Sequence, residues 1–273
     1  APPPPTDYQW VASSSLWHNS ANWSPAGIPN DDKHRVAFAG AGSPVTTVQI
    51  DSPATVREIT LDGTSSYQLE GNQMLTLDAD TGSAQLTVAS GNHRWTTPVT
   101  AATSATVDVA TGAELTLEGL FNFENQTVTK SGAGHLYLDS GLVHQTGTFQ
   151  HNAGLLGGEG IVNGDVTVDA ATVGPGHSVG TLTVKGDFTM GSESVLEIEI
   201  GGTSAGEFDT LEVLQNAYLR GQLAVTLTDN YSPNLGEQFS ILEAGSIANY
   251  GITLDGPDAD KFTLVFTAGQ LLL

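Results

Sequence analysis

Short runs in which apolar and polar residues strictly alternate, each closed by Gly, Asp, Asn or Ser, recur from residue 46 onward: TTVQID, REITLD, MLTLD, AQLTVA, ATVDVA, AELTLEG, HLYLD, DVTVDA, TLTVKG, VLEIEIG, QLAVTLTD and FTLVFTAG. Alternation sends successive side chains to opposite faces, so each run predicts a strand with one apolar face. Such a strand is unstable alone, and copies stacked in register bury that face continuously. The steps between copies are short. Leu86 to Val107 and Leu115 to Leu136 are each 21 residues, while Ile59 to Leu75 and Val166 to Leu182 are each 16. In GDVTVDAATVGPGHSVGTLTVKGDF, residues 164–188, Gly164, Val166 and Val168 return as Gly180, Leu182 and Val184. Steps of about 16–25 residues suit one coil of a β-solenoid, and hairpin signals such as VNGD are rare. The expected fold is all-β, a single-stranded parallel β-helix of stacked rungs.

Three regions follow. Residues 1–7, opening APPPP, predict an extended Pro-rich arm, because proline fixes φ and lacks an N–H. Residues 8–45 carry Trp10, Trp17, Trp23 and the punctuated loop NWSPAGIPNDDK, and read as an N-terminal cap. Residues 46–273 form the solenoid. Within it, DTLEVLQNAYLRGQ spaces Leu211, Leu214 and Tyr218 as a helical face would, but its neighbours are strands and it is read as strand.

The chain has 273 residues and 39% hydrophobic content, enough to bury a core. Thirty acidic residues against eight basic ones give a net charge of -22. That balance disfavours nucleic acid, anionic membrane surfaces and polyuronates. The absence of cysteine removes disulfides, thiolate zinc sites and thiol nucleophiles. No run approaches about 18 apolar residues, so no membrane insertion by a helix is expected. The opening APPPPTDYQW reads as a terminus processed after export, which places the protein outside the cell or on its surface.

Taken together, WHNSANWSPAGIPNDDKHRVAFAG, VTKSGAGHLYLDSG, AGLLGGEGIVNGDVTVDAATVGPGHSVGTLTVKGDFTMGSESVLEIEIGG and GEQFSILEAGSI resemble secreted bacterial autotransporter-passenger-like proteins with autotransporter-associated β-strand repeats. The likeness spans most of residues 10–250. Its most specific element, G-x-V-x-P-G-x-S-x-G-x-L-x-V-x-G-x-[FY], is matched from Ala171 to Phe188, with Thr172 and Gly174 departing slightly. The resemblance implies a right-handed parallel β-helix outside a bacterial cell, serving as an adhesin, surface-layer or matrix component. It carries over no catalytic residues, because the shared positions are turn glycines and core aliphatics.

Few residues offer chemistry. Glu197 and Glu199 lie two apart in VLEIEIGG, so both carboxylates project from one strand face about 6–7 Å apart, near the lower limit for an inverting glycosidase pair. A solvated outer face produces the same pattern and is the preferred reading. Asp78 and Asp80, Asp258 and Asp260, and Asp31 and Asp32 sit in Asp-rich turns that would suit calcium, although Asx turns account for them equally. Otherwise no cofactor is expected. His135, His144 and His151 lack metal-ligand spacing and read as surface residues. No G-x-S-x-G elbow is present, and Lys130 in TKSGAG reads as part of a turn.

Tyr8, Trp10, Trp17 and Trp23 would either offer sugars a stacking platform or plug the first rung, and plugging is favoured because an open solenoid end exposes core and backbone. At the other end KFTLVFTAGQLLL is apolar without a clear polar cap. Head-to-tail self-assembly is therefore expected, with Pro2, Pro3, Pro4, Pro5, Trp10, Phe266, Leu271, Leu272 and Leu273 at the contact. The competing reading folds the last strand back as its own cap. The function expected is a non-enzymatic extracellular structural protein, a surface, matrix or filament subunit with adhesive capacity whose partner is itself. The alternative is a carbohydrate-binding or carbohydrate-active β-helix.

Overall fold

The computed structural model describes residues 7–12, 15–40, 45–63, 65–123, 125–143 and 147–273, so the Pro2–Pro5 arm and His144 lie outside the described residues. Parallel strands stack into a β-solenoid of about eight turns. Helix among the described residues is limited to single 3-10 turns at Ser20–Asn22 and Ala259–Lys261. A central coil has three strands, for example Val99–Ala101, Ala105–Val109 and Glu114–Leu117. The first two belong to a 20-stranded sheet and the third to an 11-stranded sheet. Toward either end the first two strands of a coil fuse. Ala54–Asp62 pairs with both Leu75–Leu77 and Ala84–Val88, and Thr210–Leu219 pairs with both Thr181–Val184 and Phe188–Met190.

The 21-residue steps are true coil steps, since Leu86 is the ladder partner of Val107 and Leu115 that of Leu136. The 16-residue steps are not. Val166 pairs with Phe188 and Leu182 with Leu211, while Ile59 pairs with Leu86 and Leu75 with Ala54. Sixteen residues carry the chain past two corners onto a different side of the coil. The motif recurs there because every side needs the same inward alternation. DTLEVLQNAYLRGQ is strand, and a bulge between Val213 and Asn216 turns Leu214 outward, which explains its helix-like spacing.

The parallel ladder also takes in the region read as a cap. Strand Asp31–Ala39 pairs with Ala54–Asp62, and Ser15–Leu16 pairs with Val45–Gln49. Trp10, Trp17 and Trp23 are buried, packed edge to face on one another and against Phe38 at centroid distances of 4.8–6.2 Å. Two of the three indole N–H groups are satisfied by backbone carbonyls. Trp17 Nε1 donates to Pro29 O and Trp23 Nε1 to Trp17 O. At the far end Gln270–Leu272 turns back antiparallel onto Ser240–Asn249 and pairs with Val265–Phe266. The chain thus caps itself there, with Leu271 and Leu273 buried in the core.

The interior is built mostly of apolar columns, and one of them carries a lysine. Ile59, Leu86, Val107, Lys130, His151, Val168 and Met190 are consecutive ladder partners facing inward. Lys130 is not a turn residue and His151 is not on the surface, because both are 0% exposed. His93 is buried as well. A charge in such a column is tolerable only if every donor is satisfied. Lys130 Nζ donates to Ser131 O, Gly132 O and Ala153 O at 2.9, 2.7 and 2.8 Å, using the turns of two successive coils. Gly132 makes this turn feasible, since its φ is +71° and a Cβ would come within 2.2 Å of Val109 O. His151 Nε2 lies 2.7 Å from Thr172 O, an acceptor only, so Nε2 carries the proton. Burial, reinforced by Lys130, pushes the imidazole down to about 4 and keeps it neutral.

Burial pushes the Lys130 ammonium down from 10.5 to about 8, against the opposing pull of Asp108. Between those values the unfolded chain binds this proton and the folded chain does not, so its contribution to stability rises with pH across the window. Lys130→Met is expected to destabilise by about 2–4 kcal/mol, because three carbonyls lose their donor. Denaturant titrations at about pH 7.5 to 10.5 should show wild type gaining on the variant as pH rises. A constant gap would mean that Lys130 does not titrate in the folded protein.

Candidate functional site

Outward columns of the 11-stranded sheet decide what the side of the solenoid offers. Inward run Leu136, Leu156, Val173, Leu196 and Leu223, and the residues one place further on, Tyr137, Gly157, Gly174, Glu197 and Ala224, face out. Three side chains in that column are absent or minimal. The gap between Tyr137 and the Glu197 strand is a side notch of about 370 Å³.

Each wall is fixed by its neighbours. A Cβ on Gly157 would sit 2.8 Å from the Tyr137 ring, so that ring requires glycine beside it. Gly174 is different: a Cβ there would make only ordinary contacts, 3.4 Å to Leu155 Cδ1 and 3.7 Å to Glu197 Cβ. After it, Gly176 has a φ of +83° and bends the loop so that His177 stacks on Tyr137, with centroids 4.1 Å apart. His177 Nε2 lies 2.8 and 2.9 Å from the two oxygens of Asp139, so its N–H donates to that carboxylate and the ring is held from two directions.

Glu197 and Glu199 do share the outward face, as the alternation predicts, and both line the notch. Ser178 Oγ donates to Glu199 Oε2 at 3.2 Å. Glu197 has no hydrogen-bond partner among the described residues, and burial together with the Glu199 charge raises its carboxyl above the ordinary range. A further carboxylate, Asp209, was not legible in the sequence, where it is one of many acidic residues near a turn. It is 2% exposed, and its oxygens accept from Gly180 N–H and Glu199 N–H, each at 2.8 Å. Asp209 therefore pins the chain following Glu199 back onto the preceding coil.

The other predicted residues fall elsewhere. Trp10, Trp17 and Trp23 are in the core, so no aromatic platform is presented there, and Tyr8 is half-buried against Trp23 and His34. Asp80 is paired with Arg57 at 2.7 Å, Asp258 with Lys261 at 2.6 Å, and Asp32 with Lys33 at 3.0 Å. Asp78 caps its own turn through Ala79 N, and Asp260 is exposed. Among the described residues no three acidic or histidine side chains converge on a common point. Of the predicted contact residues, Trp10, Leu271 and Leu273 are inside the caps, whereas Phe266 is exposed and Leu272 half-buried. His135 is exposed beside Tyr137.

Burial drives the Asp209 carboxyl up to about 7 from 3.8, against its two backbone hydrogen bonds. Between those values the folded chain holds a proton that the unfolded chain has released, so stability falls as pH rises across the window. Asp209→Asn removes that slope. Urea titrations from pH 4 to 7 should show wild type losing on the order of a few kcal/mol relative to the variant. A gap between the two that is independent of pH would mean that Asp209 is ionised in the folded chain across this window, as it is in the unfolded one. Compared with models of known protein families and with curated proteins, the chain matches none of them.

Proposed function

We propose that the chain is an extracellular structural subunit whose solenoids stack end to end into a rod or filament on the outside of a bacterial cell. The observation that carries this reading is the state of the 11-stranded sheet at its two ends. Among the described residues its first strand, Ser15–Leu16, and its last, Thr253–Asp255, each have a strand partner on one side only, both run parallel to the rest of the ladder, and on the outer edge Leu16 O accepts from Asn22 Nδ2 at 2.9 Å. An unpaired parallel edge is a template for another strand, and a second copy of the same chain offers one in the right direction. Such a contact is heterologous and does not close on itself.

Exposed apolar side chains support the same contact. Val11, Leu16, Ile28 and Val45 lie in the first coils, and Leu235, Tyr250, Val265 and Phe266 in the last ones. The long middle of the solenoid exposes few, among them Met74, Leu120 and Ile161. The resemblance to autotransporter-passenger-like proteins favours a secreted or surface location, and the self-sealed core lets the subunit persist there without disulfides.

Light scattering and negative-stain microscopy of the purified chain test the proposal. Rods that lengthen with protein concentration are expected. Leu16→Glu or Phe266→Glu should shift the population to single subunits, and Met74→Glu, an equal change on the side of the solenoid, should not. Single 28.3 kDa subunits at every concentration overturn the reading.

A further inference from the structure

Beyond end-to-end assembly, we infer that the side notch between Tyr137 and Glu197 is a binding site for an uncharged sugar unit of a glycan. Gly174 directly follows the strand Thr172–Val173, its N–H donating to Leu156 O, so its Cα still sits on the outward column of the sheet. Gly157 is accounted for by the Tyr137 ring, but Gly174 is not, because a Cβ would fit there by ordinary contact. What its absence preserves is the notch.

The surroundings of that space fit a polyhydroxylated ring. One side presents a flat, preorganised surface, His177 stacked on Tyr137 and held by Asp139. Flat rings of this kind receive the apolar face of a pyranose, which buries C–H groups against π density. Opposite stand acceptors: Glu197 without a partner, and Glu199 with only Ser178 on one oxygen. Carboxylates lining a half-apolar cavity suit hydroxyl donors, and the volume of about 370 Å³ is at the small end of ligand sites.

Other ligand classes fit less well. Among the described residues no lysine or arginine lines the notch, so anionic sugars and phosphates meet no counter-charge there. A metal cation would need convergent oxygens. Asp209 spends both of its own on backbone N–H groups and Asp139 spends its pair on His177, and no three such groups converge among the described residues.

The test uses the full chain against neutral gluco-, manno-, galacto- and xylo-oligosaccharides of six units, read by saturation-transfer NMR and calorimetry. Binding of at least one series is expected. His177→Ala should weaken it about ten-fold by removing the stacking surface. Gly174→Val should abolish it by filling the notch, with the melting temperature of each variant recorded as the control for folding. Glu197→Gln, which keeps shape and an acceptor oxygen, should bind more weakly than wild type but more tightly than Gly174→Val. The inference is overturned if none of the four series binds, if binding survives Gly174→Val, or if a lysine hexapeptide binds the notch in place of the sugars. The oligomeric state of Gly174→Val should equal that of wild type, so failure here is distinguishable from failure of the end-to-end reading.

Discussion

Every coil of this solenoid is closed only by the coils above and below it. What an inward position tolerates is set by partners some twenty residues away, about 4.8 Å distant across the ladder. Aliphatic columns satisfy that condition without further help. Lys130 shows what happens when a column is interrupted. Its partners Val107 and His151 offer an ammonium nothing, so the carbonyls of two successive turns are bent inward to receive it. The same stacking that buries the charge also supplies its three acceptors, and the positive φ of Gly132 is part of the arrangement.

Much of the fold was legible because alternation is local and each strand declares its own inward face. Coil length was legible only where the chain keeps it constant, as at Leu86/Val107 and Leu115/Leu136. The 16-residue echo of Val166 at Leu182 misled, since three sides of one coil obey a single inward rule and resemble each other as closely as successive coils do. Lys130 and His151 were hidden for a related reason. Each follows a residue pattern typical of a turn or a polar strand end, and only the register shows them facing in. The tryptophans were read as a plug ahead of a platform, and the core they form with Phe38 follows from the need to cover the first rung.

The notch was half legible. Alternation put Glu197 and Glu199 together on the outer face, but nothing local placed Tyr137 forty positions before His177 or linked Asp209 to Gly180. Columns on the outside are freer than columns inside. Solvent accepts almost any polar residue there, so an outward glycine such as Gly174 has no packing reason that a sequence pattern would reveal. The two glycines of the same column differ in this respect. Gly157 answers to the Tyr137 ring, whereas Gly174 answers to no neighbour within the chain.

Ends and sides of a solenoid therefore face different demands. A side is finished once each coil has paired with the next, and its outer columns can vary without disturbing the ladder. An end is never finished by pairing alone, because the last strand always has one unpaired edge. This chain answers with unlike devices, a tryptophan cluster at one end and a strand folded back antiparallel at the other. The fold-back continues the 20-stranded sheet but does not reach Thr253–Asp255, and the tryptophans fill the interior while Asn22 Nδ2, not a strand, donates to Leu16 O on the outer edge of Ser15–Leu16. Among the described residues both caps seal the core, and neither adds a strand to the 11-stranded sheet. Core closure and edge closure are separate problems, and the two caps address the first.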